Sequence, residues 1–317
     1  MGILTAVRAA FVFPGQGSQH VGMGRELFDS FSAAKDVFER ADSVLGFSIS
    51  GLCFEGPEEE LRRTMNTQPA LYTVSCAAAE VVRERGIEPV AAAGHSVGEY
   101  AALYAAGAFG FEEGLRLVRT RAELMQQAAE KHPGTMAAIL GLSPEQVAEA
   151  VQRASEVGVV SAANFNSPVQ TVISGEPGAV ERASEIAGEM GAKRVVALNV
   201  SGAFHSPLMR EAADALREVL DEVDIADAGI PVAANFTGKL ETRADEIRAN
   251  LASQITGSVR WVDCVAGCVE AGAEAFVELG PGSVLAGLIK RIAPEFDVHP
   301  AGDRALVEAL IGPVARH

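Results

Sequence analysis

Short apolar runs that stop abruptly at glycine-bearing turns constrain this chain more than any other feature. Ala9–Phe13 is closed by Pro14-Gly15-Gln16-Gly17, and Val90–Gly94 by Gly94-His95-Ser96-Val97-Gly98. Runs this short, with no polar residue inside them, read as strands buried on both faces. Helical patterns lie between and after them, at Phe31–Leu45, Pro69–Arg85, Gly98 to about Ala106, and Glu112–Glu130. Strands alternating with helices predict an α/β fold built on a parallel, doubly wound sheet.

The middle of the chain follows another order. Thr135–Leu140 reads as a strand. Pro144–Ser155 reads as a helix, with Ser143 at its N-cap and Pro144 in its first turn. Val159–Ala163 and Val169–Ser174 read as strands around the turn Asn166-Ser167-Pro168, Pro177–Met190 as a helix and Arg194–Leu198 as a strand. The order β-α-β-β-α-β is the ferredoxin-like unit. The expected architecture is therefore a hydrolase-like large α/β domain on a parallel sheet, discontinuous over residues 1–132 and 201–317, with an inserted ferredoxin-like (βαββαβ) small subdomain over residues 133–200. After the insertion the pattern resumes with a helix from Pro207 and strands at Val232–Asn235 and Ala275–Leu279.

Composition narrows the function. The 317 residues carry 26 Lys and Arg against 42 Asp and Glu, a net charge of -16. Such a surface repels phosphate backbones and anionic lipid, so nucleic acid and membrane are not expected partners. No uncharged apolar stretch reaches the roughly 18 residues of a bilayer span. The opening residues lack the basic segment and small-residue site of a signal peptide, and Gly2 is not followed by a myristoylation pattern. Cys53, Cys76, Cys264 and Cys268 form no C-x-x-C and read as reduced packing residues, which places the protein in the cytoplasm. No His or Cys has metal-ligand spacing, and Gly15-Gln16-Gly17 lacks the remainder of a dinucleotide fingerprint, so neither a metal nor a bound cofactor is expected.

Two stretches suggest chemistry. Gly94-His95-Ser96-Val97-Gly98 fits G-x-S-x-G, the sharp turn that exposes a serine nucleophile between a strand and a helix. The plainer alternative is that Ser96, with Glu99 three residues on, forms a helix-opening capping box. A nucleophilic serine needs a base. Of the six histidines, His95 adjoins the serine, His132 sits in a turn and His317 is terminal, leaving His20, His205 and His299. His205 stands where the chain re-enters the large domain, although a lone histidine there could equally be a packed core residue. Arg121 interrupts the apolar stripe Leu115, Leu117/Val118, Leu124/Met125, Ala128 of its helix. An unpaired buried charge costs about 3–5 kcal/mol, so Arg121 must meet either a structural carboxylate or the carboxylate of a substrate.

Taken together, these segments resemble the malonyl-CoA:acyl carrier protein transacylases of fatty acid and polyketide synthesis. The matching stretches run in family order: Phe13-Pro14-Gly15-Gln16-Gly17-Ser18-Gln19, Thr67-Gln68-Pro69-Ala70, Gly94 through Tyr100, Arg121, Asn164 through Pro168, Gly202-Ala203-Phe204-His205-Ser206-Pro207, Gln254 before Trp261, and Glu278 through Gly282. The resemblance implies that Ser96 is the nucleophile and His205 its base, steadied by a carbonyl of the Gln254 segment instead of an aspartate. It implies an oxyanion hole from the backbone N–H groups of Gln16 and Val97. It assigns Arg121 to the malonyl carboxylate and places Gln68, Asn164, Phe204 and Gln254 in or behind the pocket. Phe204 resembles the residue of malonyl-selective members, whose ring fills the space an α-methyl would need. Val97, where many members carry Leu, touches pocket volume only. The implied substrate is malonyl-CoA, and the implied partner is an acidic acyl carrier protein bearing phosphopantetheine. On a chain this acidic, docking calls for a local basic patch, for which Lys193, Arg194, Lys290 and Arg291 are candidates beside the alternative of ordinary solvated pairs. Three other readings remain: a free-standing acyltransferase of a polyketide synthase, a serine esterase using His299, and a non-catalytic carrier-binding protein.

Overall fold

In the computed structural model, residues 7–200 and 202–311 are described; the opening residues read for a leader and the terminal His317 lie outside them. The larger sheet has six strands in the order β10-β9-β1-β2-β7-β8. These are β1 (Ala9–Phe13), β2 (Ala91–Gly94), β7 (Val232–Ala233), β8 (Leu240–Glu241), β9 (Ala275–Glu278) and β10 (Asp297–Pro300). All neighbours run parallel except β8, which pairs antiparallel to β7. In β1, Ala9, Phe11 and Phe13 enter the core on one face, and Ala10 and Val12 the core on the other. That two-sided burial is why the strand is an unbroken apolar run.

The second sheet has four antiparallel strands in the order β4-β5-β3-β6: β3 (Thr135–Leu140), β4 (Val160–Ser167), β5 (Gln170–Gly175) and β6 (Arg194–Ala197). With the helices Pro144–Ala154 and Pro177–Glu189 it makes the ferredoxin-like unit. Ala137 and Ile139 face those helices, while Met136 and Ala138 face the large core. The Pro144–Ala154 helix opens on a full capping box, with the Ser143 hydroxyl accepting from Gln146 N and Gln146 Oε1 accepting from Ser143 N at 2.9 Å.

Several boundaries differ from the sequence reading. The helix expected from Pro69 starts at Thr64 and carries Pro69 inside it. Its first turn is closed by Asn66 N and Thr67 N, both donating to Arg63 O, so the helix is under way before the proline. Strand β4 does not stop at Ala163 but continues through bulges to Ser167. A segment of the large domain supports that extension, since Phe165 N donates to Val259 O and Val259 N to Ala163 O. The strand read as Val232–Asn235 ends at Ala233, because Asn235 turns its polar groups toward the Ser96 turn.

Candidate active site

Ser96 sits at the tip of β2, just before the Gly98–Ala105 helix. The turn is too tight for side chains at its two glycines. A Cβ on Gly94 would lie 1.9 Å from the backbone of Gly98, and one on Gly98 would lie 2.2 Å from Phe13 O. Ser96 itself has φ 53, a left-handed conformation that a serine adopts only when its surroundings impose it. The capping box read at Ser96 and Glu99 does not form: the helix has Val97 at its N-cap and no side chain capping it. Glu99 is buried instead, and its Oε2 accepts from Asn235 N at 3.1 Å and from Gln254 Nε2 at 2.6 Å.

The Ser96 hydroxyl meets two groups. His205 Nε2 is 2.8 Å from Oγ, and Arg121 Nη2 donates to Oγ at 3.0 Å. His205 also has a positive φ, 57, and is buried. Its Nδ1 lies 2.9 Å from the backbone oxygen of Gln254. A carbonyl can only accept, so Nδ1 carries the proton and the bare Nε2 faces the serine. Burial first, and the Arg121 charge second, push the imidazole pKa down to about 3. The ring is therefore neutral and able to take a proton from Oγ. Among the described residues no carboxylate contacts His205; the orienting acceptor is a main-chain oxygen.

Arg121 is 1% exposed, as its place in the apolar stripe predicts. Its guanidinium donates to Gln68 Oε1 at 2.5 Å and to Gln254 Oε1 at 2.8 Å, lies over the Tyr100 ring, and leaves Nε without a partner. No ion pair of Arg121 exists among the described residues, so the structural carboxylate that spacing allowed for is not found. Burial presses its pKa downward, but a guanidinium remains charged. A charge satisfied only by neutral dipoles beside a cavity is set up to receive an anion.

Gln16, Val97, Ser96, Gln68, Asn164, Phe204 and His205 line that cavity with Arg121. Gln254 lies behind the wall, buried, where it supports His205, Arg121 and the Ser96 carbonyl together. A second cavity shares Gln16, His95 and Asn164 and runs on between the small sheet and the Val284–Ile292 helix to Gln170 and Val284. His95 is turned to Asn166 at 2.8 Å. His299 sits in β10, with β9 and β1 between it and β2, so the Ser96–His299 pair of the esterase reading does not assemble. Arg291 reaches Gln170 Oε1 at 3.4 Å. Gln170 and Arg194 both pair with Leu140, on either side of it, so Lys193 and Arg194 share this end of the small sheet. Lys290, beside Arg291, is partly engaged by Phe296 O at 2.6 Å and Asp297 at 3.8 Å. Among the described residues no group of His, Cys, Asp and Glu could hold a metal ion, and no helix is long and apolar enough to cross a membrane.

Sequence reasoning missed Asn235 and read Glu99 only as a helix cap. Asn235 Oδ1 accepts from Ser96 N and its Nδ2 donates to Gly94 O, both at 2.7 Å, which clamps the turn from both sides. The one available signal was a polar residue directly after a buried apolar run.

Comparison with known proteins bears on the family and the fold. Residues 10–312 match the acyl transferase domain family. A malonyl CoA-acyl carrier protein transacylase of Bacillus subtilis is 45% identical over 305 residues, covering 96% of each chain. The crystal structure of an acyl carrier protein S-malonyltransferase from Vibrio cholerae superposes with a TM-score of 0.92 at 43% identity, covering 95% of this chain and 99% of that one. A malonyl-transacylase solved in complex with its type II polyketide synthase acyl-carrier protein gives 0.92 at 42% identity, covering 96% and 99%. A serine, a histidine and a buried arginine converging on one cavity, on this pair of sheets and across nearly the whole length, make the chain a member of the acyl transferase family.

Proposed function

We propose that the protein transfers a malonyl group from malonyl-CoA to the phosphopantetheine thiol of an acyl carrier protein, supplying extender units for fatty acid synthesis. The observation that carries this reading is that one hydroxyl, Ser96 Oγ, lies within hydrogen-bond distance of both a neutral imidazole and an anion-seeking guanidinium. In malonyl-CoA the thioester carbonyl and the free carboxylate are separated by a single methylene. A site that attacks one while holding the other must place its nucleophile and its cation this close together.

His205 Nε2 takes the proton of Ser96 as Oγ attacks the thioester carbonyl. The developing oxyanion is met by the backbone N–H groups of Gln16 and Val97, each such donor being worth on the order of 3 kcal/mol. The C–S bond breaks, the proton on Nε2 goes to the leaving sulfur, and malonyl-serine remains. The carrier thiol then gives its proton to Nε2 and attacks the same carbonyl; the C–Oγ bond breaks, the proton on Nε2 returns to Ser96 Oγ, and the malonyl-carrier thioester leaves the free serine, which makes the kinetics ping-pong. Side chains and the substrate's own thioester carry every step, so the reaction as written calls for no bound cofactor. When the malonyl carboxylate docks on Arg121 it displaces the guanidinium from Oγ and offsets the charge that depresses His205. Acetyl-CoA does neither, which gives malonyl its advantage. Phe204 on the cavity wall restricts the space beside the methylene, favouring malonyl over methylmalonyl.

The second cavity suits the extended phosphopantetheine arm. Lys193, Arg194, Lys290 and Arg291 at its outer end would receive the acidic carrier protein. Residues 1–132 with 201–317 would form the catalytic body and residues 133–200 the smaller one, with a cytoplasmic location inferred from four buried, unpaired cysteines. A carrier protein of a polyketide pathway is the second reading, favoured by the likeness to the type II polyketide complex. Incubation with malonyl-CoA followed by intact-mass measurement should show a malonyl adduct that is absent from Ser96→Ala. No adduct on the unaltered protein would refute the proposal.

A further inference from the structure

Glu99 is the buried acid that neither the reaction steps nor the sequence motifs explain. It lies one hydrogen bond beyond Arg121: the guanidinium donates to Gln254 Oε1, and Gln254 Nε2 donates to Glu99 Oε2. A single amide thus separates the cation that contacts the serine from a carboxyl group. Glu99 is 0% exposed, and its second oxygen, Oε1, is buried with no partner among the described residues. An ionised carboxylate with one oxygen left bare costs more than a neutral acid in the same place.

We propose that Glu99 is a proton-linked positioning residue for the acyl carboxylate: it ionises, as the remote counter-anion of Arg121, only in the empty site at alkaline pH, and it takes a proton from solvent when a substrate carboxylate docks there. The inference rests on the reading that Arg121 binds the malonyl carboxylate. Two anions cannot share one guanidinium at this depth without competing, and the group already poorest in hydrogen bonds gives up its charge.

The groups facing Glu99 agree. Arg121 comes from the Phe111–Lys131 helix, Gln254 from the Ala244–Gln254 helix, Glu241 from β8, Cys264 from the Trp261–Glu270 helix, and Tyr100 from the same helix as Glu99. Tyr100 and the Cys264 thiol are held neutral by burial. Glu241, also raised by burial, to about 7, adds a like charge. Burial first and Glu241 second bring Glu99 up to about 8 in the empty site, against the opposing pull of Gln254, Asn235 and Arg121. A second carboxylate beside Arg121 raises it further. The sign follows: the empty protein loses this proton above about pH 8, the loaded protein holds it, and affinity for the carboxylate falls as pH rises, at most about tenfold per pH unit.

The test is calorimetric titration of the Ser96→Ala protein with malonyl-CoA and with acetyl-CoA, at about pH 7 and about pH 9, in buffers of different ionisation heat. The expected result is uptake of up to about one proton per malonyl-CoA at the higher pH, with affinity falling about tenfold, and neither effect with acetyl-CoA. In the Ser96→Ala, Glu99→Gln protein, whose amide oxygen keeps both hydrogen bonds, the uptake should vanish and the affinity should become independent of pH. Equal affinity for the two thioesters at the lower pH would sink the malonyl reading of Arg121 and this inference with it. A preference for malonyl-CoA without proton uptake, or uptake that survives Glu99→Gln, would overturn this inference alone. If the double variant does not fold, the comparison of the two thioesters on Ser96→Ala decides.

Discussion

Arg121 combines burial, full charge and a hydrogen-bond set made only of neutral oxygens. Its removal should therefore act differently on the two acyl donors. For Arg121→Ala, acylation by malonyl-CoA, read as kcat/KM, should fall by at least about 100-fold, the lower end of what a buried charge pair is worth. Acylation by acetyl-CoA should not fall and should rise, because acetyl offers nothing to the guanidinium and the substitution frees Oγ and lifts the charge that depresses His205. Arg121→Lys should not rescue malonyl transfer, since an ammonium cannot reproduce the planar fork. An equal loss for both donors would show a merely structural role. At this scale the sequence was informative where a residue violates its surroundings: Arg121 breaks an apolar stripe, and Ser96 sits between obligatory glycines. It was silent on Glu99, whose position at a helix opening suggested a cap. What decides its role is contact with Asn235 and Gln254, far along the chain, and no local pattern carries that information.

The elements themselves divide in the same way. Buried strands such as β1 and β2, and helices with a capped start such as Pro144–Ala154, are set by local chemistry and were readable. Ser143→Ala should lower stability by about 1 kcal/mol, measured by denaturant unfolding, and leave malonyl transfer intact, because the cap is exposed and lies on the far side of the small sheet. Of the two-residue strands, β7 was read two residues too long and β8, too short for any periodicity to register, not at all; β8 forms because Leu240 and Glu241 find Ala233 and Val232. The length of β4 was misjudged for a related reason: its last residues gain a second backbone partner at Val259, which the strand's own sequence does not announce.

For the molecule as a whole, a charge of -16 should keep an acidic protein away everywhere except where cations gather. Arg291 reaches Gln170 on the wall of the second cavity, and Lys193 and Arg194 lie at the same end of the small sheet, so we propose these with Lys290, itself partly neutralised by Asp297, as the docking cations. Reversing Lys290 and Arg291 to Glu together should raise KM for the carrier protein about tenfold or more at low salt, with less effect at high salt, and leave KM for malonyl-CoA near its original value. Equal effects on both substrates would remove the patch. The sequence made these four residues candidates only as pairs. That Arg291 comes near Lys193 and Arg194 depends on β3 lying between β5 and β6 and on the contact of Arg291 with Gln170, which no single segment announces.

The backbone at the two reacting residues has a consequence for how this protein can change. Ser96 and His205 both sit in a conformation that glycine accepts more easily than any other residue. Replacing either with glycine would relax the chain locally and, on the proposed mechanism, abolish chemistry. Mutations that toughen the scaffold and mutations that silence it therefore coincide at these positions, and screening for heat resistance alone would select inert descendants.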